Sequence, residues 1–230
     1  HGEAGLGSDA IAVGLLYRDD VVAEAGEAAT LDTGAFGNET NRQPLAQSFR
    51  LLNNDQVLTL VVNHFKSKGG SGTGGDADIG DGQGNFNETR TAAAEKLTAW
   101  LASDPFGLGD PDYLIIGDLN AYGKEDPVQA IEAAGYTSLL DKLIGEDAFS
   151  YTFDGQRGAL DQALASGTLV GQVTGITEWH INSLEPSLLG YSSQFDDPGW
   201  FNGSDPYSAS DHDPLLIGLQ LSTYADVEMA

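Results

Sequence analysis

Cysteine is absent from the 230 residues. No disulfide can staple this chain, no thiolate can act as its nucleophile, and no Cys-type zinc site can form. Cations are scarce: ten Lys plus Arg stand against 35 Asp plus Glu, a formal charge of −25. A nucleic-acid binder ordinarily carries a basic face, so loose attraction of the whole surface to a polyanion is excluded. Any phosphate contact has to come from a few local cations or a divalent metal. Asp outnumbers Glu about two to one, a balance suited to salty solvent, where repulsion is screened over about 10 Å or less. No apolar run approaches the ~20 residues of a membrane helix. Only four His are present.

What remains is globular. Hydrophobic residues make up 40% and aromatics 9%, enough for one domain with a sizeable core. Short apolar runs bounded by turn residues predict strands at Ala10–Tyr17, Gln47–Leu52, Val57–Val62, Tyr113–Ile116, Leu160–Ala165, Thr174–Trp179 and Leu215–Leu221. Asn53-Asn54-Asp55 between two runs predicts a hairpin. Apolar positions Ala93, Leu97, Trp100 and Leu101 predict a helix from about Thr89, with Asn87 as its cap. Pro127 opens a second, short helix to Ala134. The Gly/Asp segment 69–85 reads as a long solvated loop. Its Asp76, Asp78 and Asp81 are spaced faintly like a calcium loop, but Asn87 stands where the twelfth-position Glu belongs. Strands and helices without strict alternation imply an α+β fold, with two mixed sheets packed face to face and helices outside.

Three of the apolar runs adjoin the same kind of polar chemistry: Val61-Val62-Asn63-His64, Gly117-Asp118-Leu119-Asn120 and Ser210-Asp211-His212-Asp213-Pro214. Each alone is bland, since an Asp after a strand is commonly a turn former and a lone His is commonly a hydrogen-bonded core residue. Together they place two of four His beside Asp or Asn at strand ends, and strand ends in layered folds converge on one edge. Two imidazoles with carboxylates and an amide suit attack by water on a phosphoester, assisted by a metal. Asp118 is the candidate to orient or deprotonate the water, and Asn120, two residues on, to position it. His64 and His212 are candidates for proton transfer or phosphate contact. Asp211, with Asn120, offers oxygen ligands to Mg²⁺ or Mn²⁺, and Ca²⁺ is a further structural candidate. Arg42 is a candidate phosphate grip, and Lys66 and Lys68 lie beside His64 as candidate backbone contacts.

These segments resemble the endonuclease/exonuclease/phosphatase superfamily, the deoxyribonuclease-I-like fold. Arg42-Gln43-Pro44 resembles that family's Arg-x-Pro, and Asn87-Glu88-Thr89-Arg90 is similar to the helix following its first histidine strand. The resemblance implies a four-layer α/β/β/α sandwich, a phosphate-contacting role for Arg90, and a buried Asp161 in Gly158-Ala159-Leu160-Asp161 that orients His212. The strings V-N-H-F-K-S-K-G, G-D-L-N-A-Y, G-Q-R-G-A-L-D, W-H-I-N and S-D-H-D-P look like those of secreted bacterial extracellular nucleases. The resemblance therefore implies an extracellular, divalent-metal-dependent endonuclease of low sequence specificity acting on DNA, or on RNA, with no membrane partner. It runs from about Ala10 to Leu221, which divides the chain into a short segment 1–9, the domain 10–222 and a tail 223–230.

The family domain normally opens with a strand bearing Asn, a helix, and a strand ending in a metal-binding Glu. None of these precedes Ala10, so the chain reads as lacking the first strands, with the missing N-terminal part as its natural partner. Little nuclease activity is expected of it alone unless another carboxylate, Glu39 or Asp213, takes over the metal. Two alternatives to a nuclease remain open: a non-catalytic, calcium-stabilised surface or adhesion module, and a phosphoesterase for lipids or small phosphates.

Overall fold

Apolar runs covered on both faces build the centre of this protein. A computed structural model describes residues 6, 11–37, 40–186 and 209–222. In chain order the strands are β1 (Val22–Glu24), β2 (Ala29–Thr30), β3 (Leu45–Leu51), β4 (Val57–His64), β5 (Tyr113–Asp118), β6 (Tyr136–Ser138), β7 (Tyr151–Phe153), β8 (Gln156–Gly158), β9 (Asp161–Ser166), β10 (Val173–Glu178) and β11 (Leu215–Leu219). The helices are α1 (Asn87–Leu101), α2 (Asp126–Ala133), α3 (Leu139–Leu143) and α4 (Gly167–Val170). Seven strands form one mixed sheet in the order β1-β3-β4-β5-β9-β6, with β2 also on β3. The pairs β10-β11 and β7-β8 form two small antiparallel sheets.

Side-chain alternation along the strands sorts the core into two layers. Val61, Tyr113, Ile115 and Leu164 face Ala93, Ala94, Leu97 and Leu101 of α1 and Val128 and Ile131 of α2. Leu58, Leu114, Ala163 and Ala165 face the other way, against Ile176 of β10 and Leu215 and Ile217 of β11. Helices, large sheet and small sheet therefore stack in that order, and the central strands are apolar on both sides for this reason. Among the described residues β10 and β11 pair only with each other.

Several local readings need correction. Residues 11–17 form no strand; the first is β1, paired with β3. The expected Asn53–Asp55 hairpin is present, with Asp55 left-handed at φ 61°. Helix α1 is not capped by Asn87. Asp76, reaching from the 69–85 loop, accepts the Thr89 N–H at 2.8 Å and its hydroxyl at 2.6 Å, satisfying first-turn donors that the helix itself cannot. Asn87 instead donates to Asp126 at 2.7 Å and ties α1 to α2. Asp78 and Asp81 are spent on their own turns, accepting from Gly80 N–H and Gln83 N–H. These three carboxylates therefore build loop turns and a helix start and do not converge as a calcium loop. The short elements β6, α3 and β7-β8 were not legible as apolar runs, because each has only three to five residues.

Parallel pairing of β4 with β5 requires a crossover, which α1 supplies. It sets His64 opposite Asp118. Antiparallel pairing of β5 with β9 then sets Asp118 opposite Asp161. One residue before this row, Gly117 has φ +119°, and a Cβ there would stand 2.1 Å from the Asn63 carbonyl oxygen. Gly117→Ala is expected to destabilise the protein by roughly 2 kcal/mol or more, through backbone strain and forced separation of β4 from β5. Denaturant unfolding of the two forms measures it, and equal midpoints would contradict the close approach.

Candidate active site

The strand-end row opens into a pocket of about 780 Å³ lined by Arg42, His64, Lys68, Asp118, Asn120, Tyr122, Tyr151, Phe153, Asp161, Asp211 and His212, among others. The three polar motifs, distant in sequence, meet here. Register brings His64, Asp118 and Asp161 together, and the loop before β11 brings Asp211 and His212 over them.

Asp118 ends β5 and is held from two sides. Its Oδ1 accepts the Asn120 N–H at 2.7 Å and its Oδ2 accepts the Asn120 amide at 3.0 Å. The same amide donates to the Phe65 carbonyl at 3.1 Å. With the Nδ2 donors committed in this way, Asn120 turns only its Oδ1 acceptor to other partners. Asn120 sits at φ 48°, a conformation Asn tolerates better than most residues. Across the strands, His64 Nε2 lies 3.4 Å from Asp118 Oδ2. Burial pushes the Asp118 carboxyl up to about 6, and the charge of Asp161 adds to the rise against the opposing His212, Asn120 N–H and Arg42.

His212 and Asp161 form the second half of the site. His212 Nδ1 lies 2.6 Å from Asp161 Oδ2, and the same oxygen accepts the Ser150 hydroxyl at 2.7 Å. Burial alone would lower the imidazole pKa. The bond to Asp161 and the charges of Asp161, Asp118 and Asp211 outweigh it and raise the pKa to about 9. At neutral pH His212 is therefore an imidazolium held in a fixed orientation by a carboxylate. The Tyr151 ring packs against it, with centroids 4.7 Å apart.

The residue after this histidine fastens the loop. Asp213, 3% exposed, accepts the N–H groups of Asn182 and Ser183 at 2.8 and 2.9 Å and the Ser183 hydroxyl. It also pairs with His180 Nδ1 at 2.9 Å, and the His180 ring stacks on Phe149 at 3.9 Å. Asn182 then donates to the His212 carbonyl at 2.6 Å. Those hydrogen bonds hold the Asp213 carboxyl below the usual carboxylate range against the effect of burial. Asp213 is consequently no metal ligand: its oxygens are committed. Glu39, the other alternative carboxylate, lies outside the described residues.

Two expected phosphate contacts are not brought to the pocket. Arg90 is fully buried, its guanidinium donating to the carbonyls of Asn85, Gln83 and Lys66. It holds the 69–85 loop against α1 and cannot reach a phosphate. Lys66 bends its ammonium onto the Ser67 and Gly69 carbonyls and over the Phe86 ring at 4.2 Å. Lys68 lines the pocket in its place, ion-paired with Glu125 and 4.6 Å from the Tyr122 ring centre. Sequence reasoning missed Tyr122, Tyr151, Phe153 and Ser150. The one available signal was Asp154-Gly155, a dipeptide favoured in tight hairpin turns.

Ligand atoms of Asp118, Asp161 and His212 lie within 4.8 Å of one another, the one such group among the described residues. As a donor set it fits a hard divalent cation through its carboxylates. Asp118 and Asp161 face each other across adjacent strands, and their repulsion contributes to the raised Asp118 pKa. A cation between them would relieve it. His212 Nδ1 is engaged by Asp161, which leaves Nε2 as the ring's remaining nitrogen. Asp211 and the Asn120 Oδ1 are further oxygens on the same pocket.

In metal-free buffer, His212 is expected to titrate near 9, as read from its imidazole NMR resonances. Asp161→Asn should return it to about 6.5 or below, the ordinary histidine range. The sign for stability follows from the raised value. The pair stabilises the fold fully below pH 6.5, and the stabilisation disappears as pH rises through about 9. A titration still near 9 in the Asn variant would show that Asp161 does not govern it.

No protein-family model matches the chain, and no curated protein matches it in sequence. Solved structures do match it. Mannosyl-6-phosphatase Bt3783 of Bacteroides thetaiotaomicron is 12% identical, covers 89% of this chain over 69% of its own, and superposes with a TM-score of 0.55. The 3′-5′ exonuclease NExo of Neisseria meningitidis is 12% identical over 85% of this chain and 72% of its own, with a TM-score of 0.52. An endonuclease/exonuclease/phosphatase family protein of Bacteroides thetaiotaomicron is 13% identical over 71% of this chain and 56% of its own, with a TM-score of 0.50. The chain thus spans about half the length of some structures it matches and about seven-tenths of others. At these identities the likeness is one of architecture: this chain has the endonuclease/exonuclease/phosphatase fold, the deoxyribonuclease-I-like arrangement of helices on packed sheets.

Proposed function

We propose that this chain is a metal-dependent phosphoesterase, and that it acts as a secreted DNA endonuclease of low sequence specificity. The observation that carries the reading is the pairing of His212 with Asp161 at 2.6 Å, facing Asp118, Asn120 and His64 across one pocket. Fold neighbours support the coarse class, since a phosphatase and an exonuclease are among them. The secreted location and the nuclease specificity rest on the resemblance of the motif strings alone.

Hydrolysis needs a water that loses a proton, charge stabilisation on the phosphoryl oxygens, and a proton for the leaving oxygen. Asp118, its carboxyl raised by burial and by the Asp161 charge, is placed to orient the attacking water or accept its proton. Asn120 holds that carboxylate through its N–H and its side-chain amide. His212 offers the remaining ring N–H to a phosphoryl or leaving oxygen, and Asp161 stabilises its positive charge. His64 and Arg42 line the same pocket as further donors to phosphate. Asp118, Asp161 and Asp211 are the carboxylates that would hold Mg²⁺ or Mn²⁺, whose chemistry there is Lewis-acid neutralisation of phosphate charge.

A small-phosphate reading has one observation in its favour, the likeness to a sugar phosphatase. The adhesion reading has none, because a surface module has no use for an imidazolium and a near-neutral carboxylate sharing a pocket.

The test is Mg²⁺- or Mn²⁺-dependent turnover of plasmid DNA, single-stranded DNA, a simple phosphodiester and a sugar phosphate, by this chain and by any longer form of it. EDTA should abolish turnover. Asp118→Asn and His212→Gln should each lower kcat by about 10²-fold or more, with folding preserved by circular dichroism. Arg90→Lys, by contrast, should act on stability alone. Absence of turnover on every phosphoester, with either metal, would sink the phosphoesterase reading. Turnover of the sugar phosphate alone would leave the class and remove the nuclease.

A further inference from the structure

We infer that the substrate phosphate carries a nucleobase presented on a single strand, and that Tyr151 and Phe153 are the stacking platform on which this base lies. The inference rests on the phosphoesterase reading and names its substrate class.

The platform is built by the β7-β8 hairpin. Asp154 and Gly155 take φ of 48° and 75°, the doubly positive turn that keeps a two-residue hairpin tight. On β7, Tyr151 and Phe153 are two apart and share one face. Their rings are stacked, 12° from parallel with centroids 6.4 Å apart. The inner ring, Tyr151, lies 4.7 Å from the His212 ring. The outer ring, Phe153, is 66% exposed and lines the same pocket. An aromatic stripe thus runs from the imidazolium outward. A phenylalanine so exposed adds little to folding, whereas a flat ring joined to a phosphate held at His212 would cover it.

Charge decides between stacking and backbone contact as the source of affinity. A chain of net charge −25 repels a polyanion at every point except the few local cations. The pocket offers Arg42, His212 and Lys68, and Lys68 is ion-paired with Glu125. Phosphates beyond the reacting one therefore find few partners, and ring stacking has to supply the binding. Stacking on a side chain needs a base whose face is free, which a duplex hides and a single strand offers.

Binding in EDTA, where no turnover occurs, tests this with fluorescein-labelled oligothymidylate, an abasic strand of the same length, and a duplex. Oligothymidylate should bind most tightly. Phe153→Ala should weaken it about tenfold and leave the abasic strand unchanged, and Phe153→Trp should restore it. Since Phe153 is exposed, folding should be intact in both variants, which circular dichroism checks. The slope of log K against log salt should be no steeper than about −2.1, for Arg42, Lys68 and His212 at about 0.7 each on a single strand. Equal weakening of both strands, no effect of Phe153→Ala, or tighter binding of the duplex would overturn the inference. So would displacement of oligothymidylate by mannose 6-phosphate as readily as by thymidine monophosphate. The turnover assay keeps the two ideas apart. Active protein indifferent to Phe153 sinks only this inference, while absent turnover with an intact oligothymidylate preference sinks only the catalytic reading.

Discussion

One register constraint organises this protein. β4 and β5 run parallel and β5 and β9 antiparallel, so that His64, Asp118 and Asp161 form a single row across three strand ends. A slip of one residue in either pairing would turn the row to the opposite face and break the apolar alternation of both core layers. The residues that fix the register are therefore those that build the core: Val61 and Ile115 on one side, Leu58 and Leu114 on the other. Site geometry and core packing are the same fact seen from two ends of the strands. Gly117 is the position where they meet, because the row can form only if the backbone of β5 passes the Asn63 carbonyl without a side chain.

Within that row the electrostatics are local and divided. Asp118 and Asp161 face each other across adjacent strands, and burial together with the Asp161 charge raises the Asp118 carboxyl. Asp161 is bonded to His212 Nδ1 and accepts the Ser150 hydroxyl. Asp118 takes the burden and is pushed up, leaving one carboxylate poised near neutrality beside one committed to an imidazolium. That separation of environments allows like residues to serve unlike roles. It also explains how a strongly acidic chain can turn a locally cationic group toward an anion. The His212 charge persists because three carboxylates surround it.

A second carboxylate–imidazole pair, Asp213 with His180, adjoins the first in sequence and does a different job. Its carboxylate gathers the Asn182 and Ser183 donors and has no capacity left for a ligand. Through Asn182 and the His212 carbonyl it fixes the loop that presents His212. Adjacent aspartates in Ser210-Asp211-His212-Asp213 thus part ways by burial alone: Asp211 lines the pocket and Asp213 is enclosed.

The sequence by itself determined the alternating apolar runs, and with them the sheet, the α1 crossover and the mixed architecture. These rest on periodicity and turn chemistry, which are local properties. It also marked His64, Asp118, Asn120 and His212, because polar residues ending apolar strands converge wherever strands do. Asp161 was legible only through family resemblance, since nothing local distinguishes it from a turn former. Tertiary structure alone decided which charges face the pocket. Arg90 and Lys68 are both cations near the same loop, yet three backbone carbonyls draw Arg90 inward while Lys68 stays at the rim. Asp76 could not be read as the start of α1 from a loop eleven residues upstream. The aromatic pair on β7 was equally hidden, because a three-residue strand has too few residues to show a period. Such assignments depend on which partners fold toward a side chain, and that is a property of the whole chain in three dimensions.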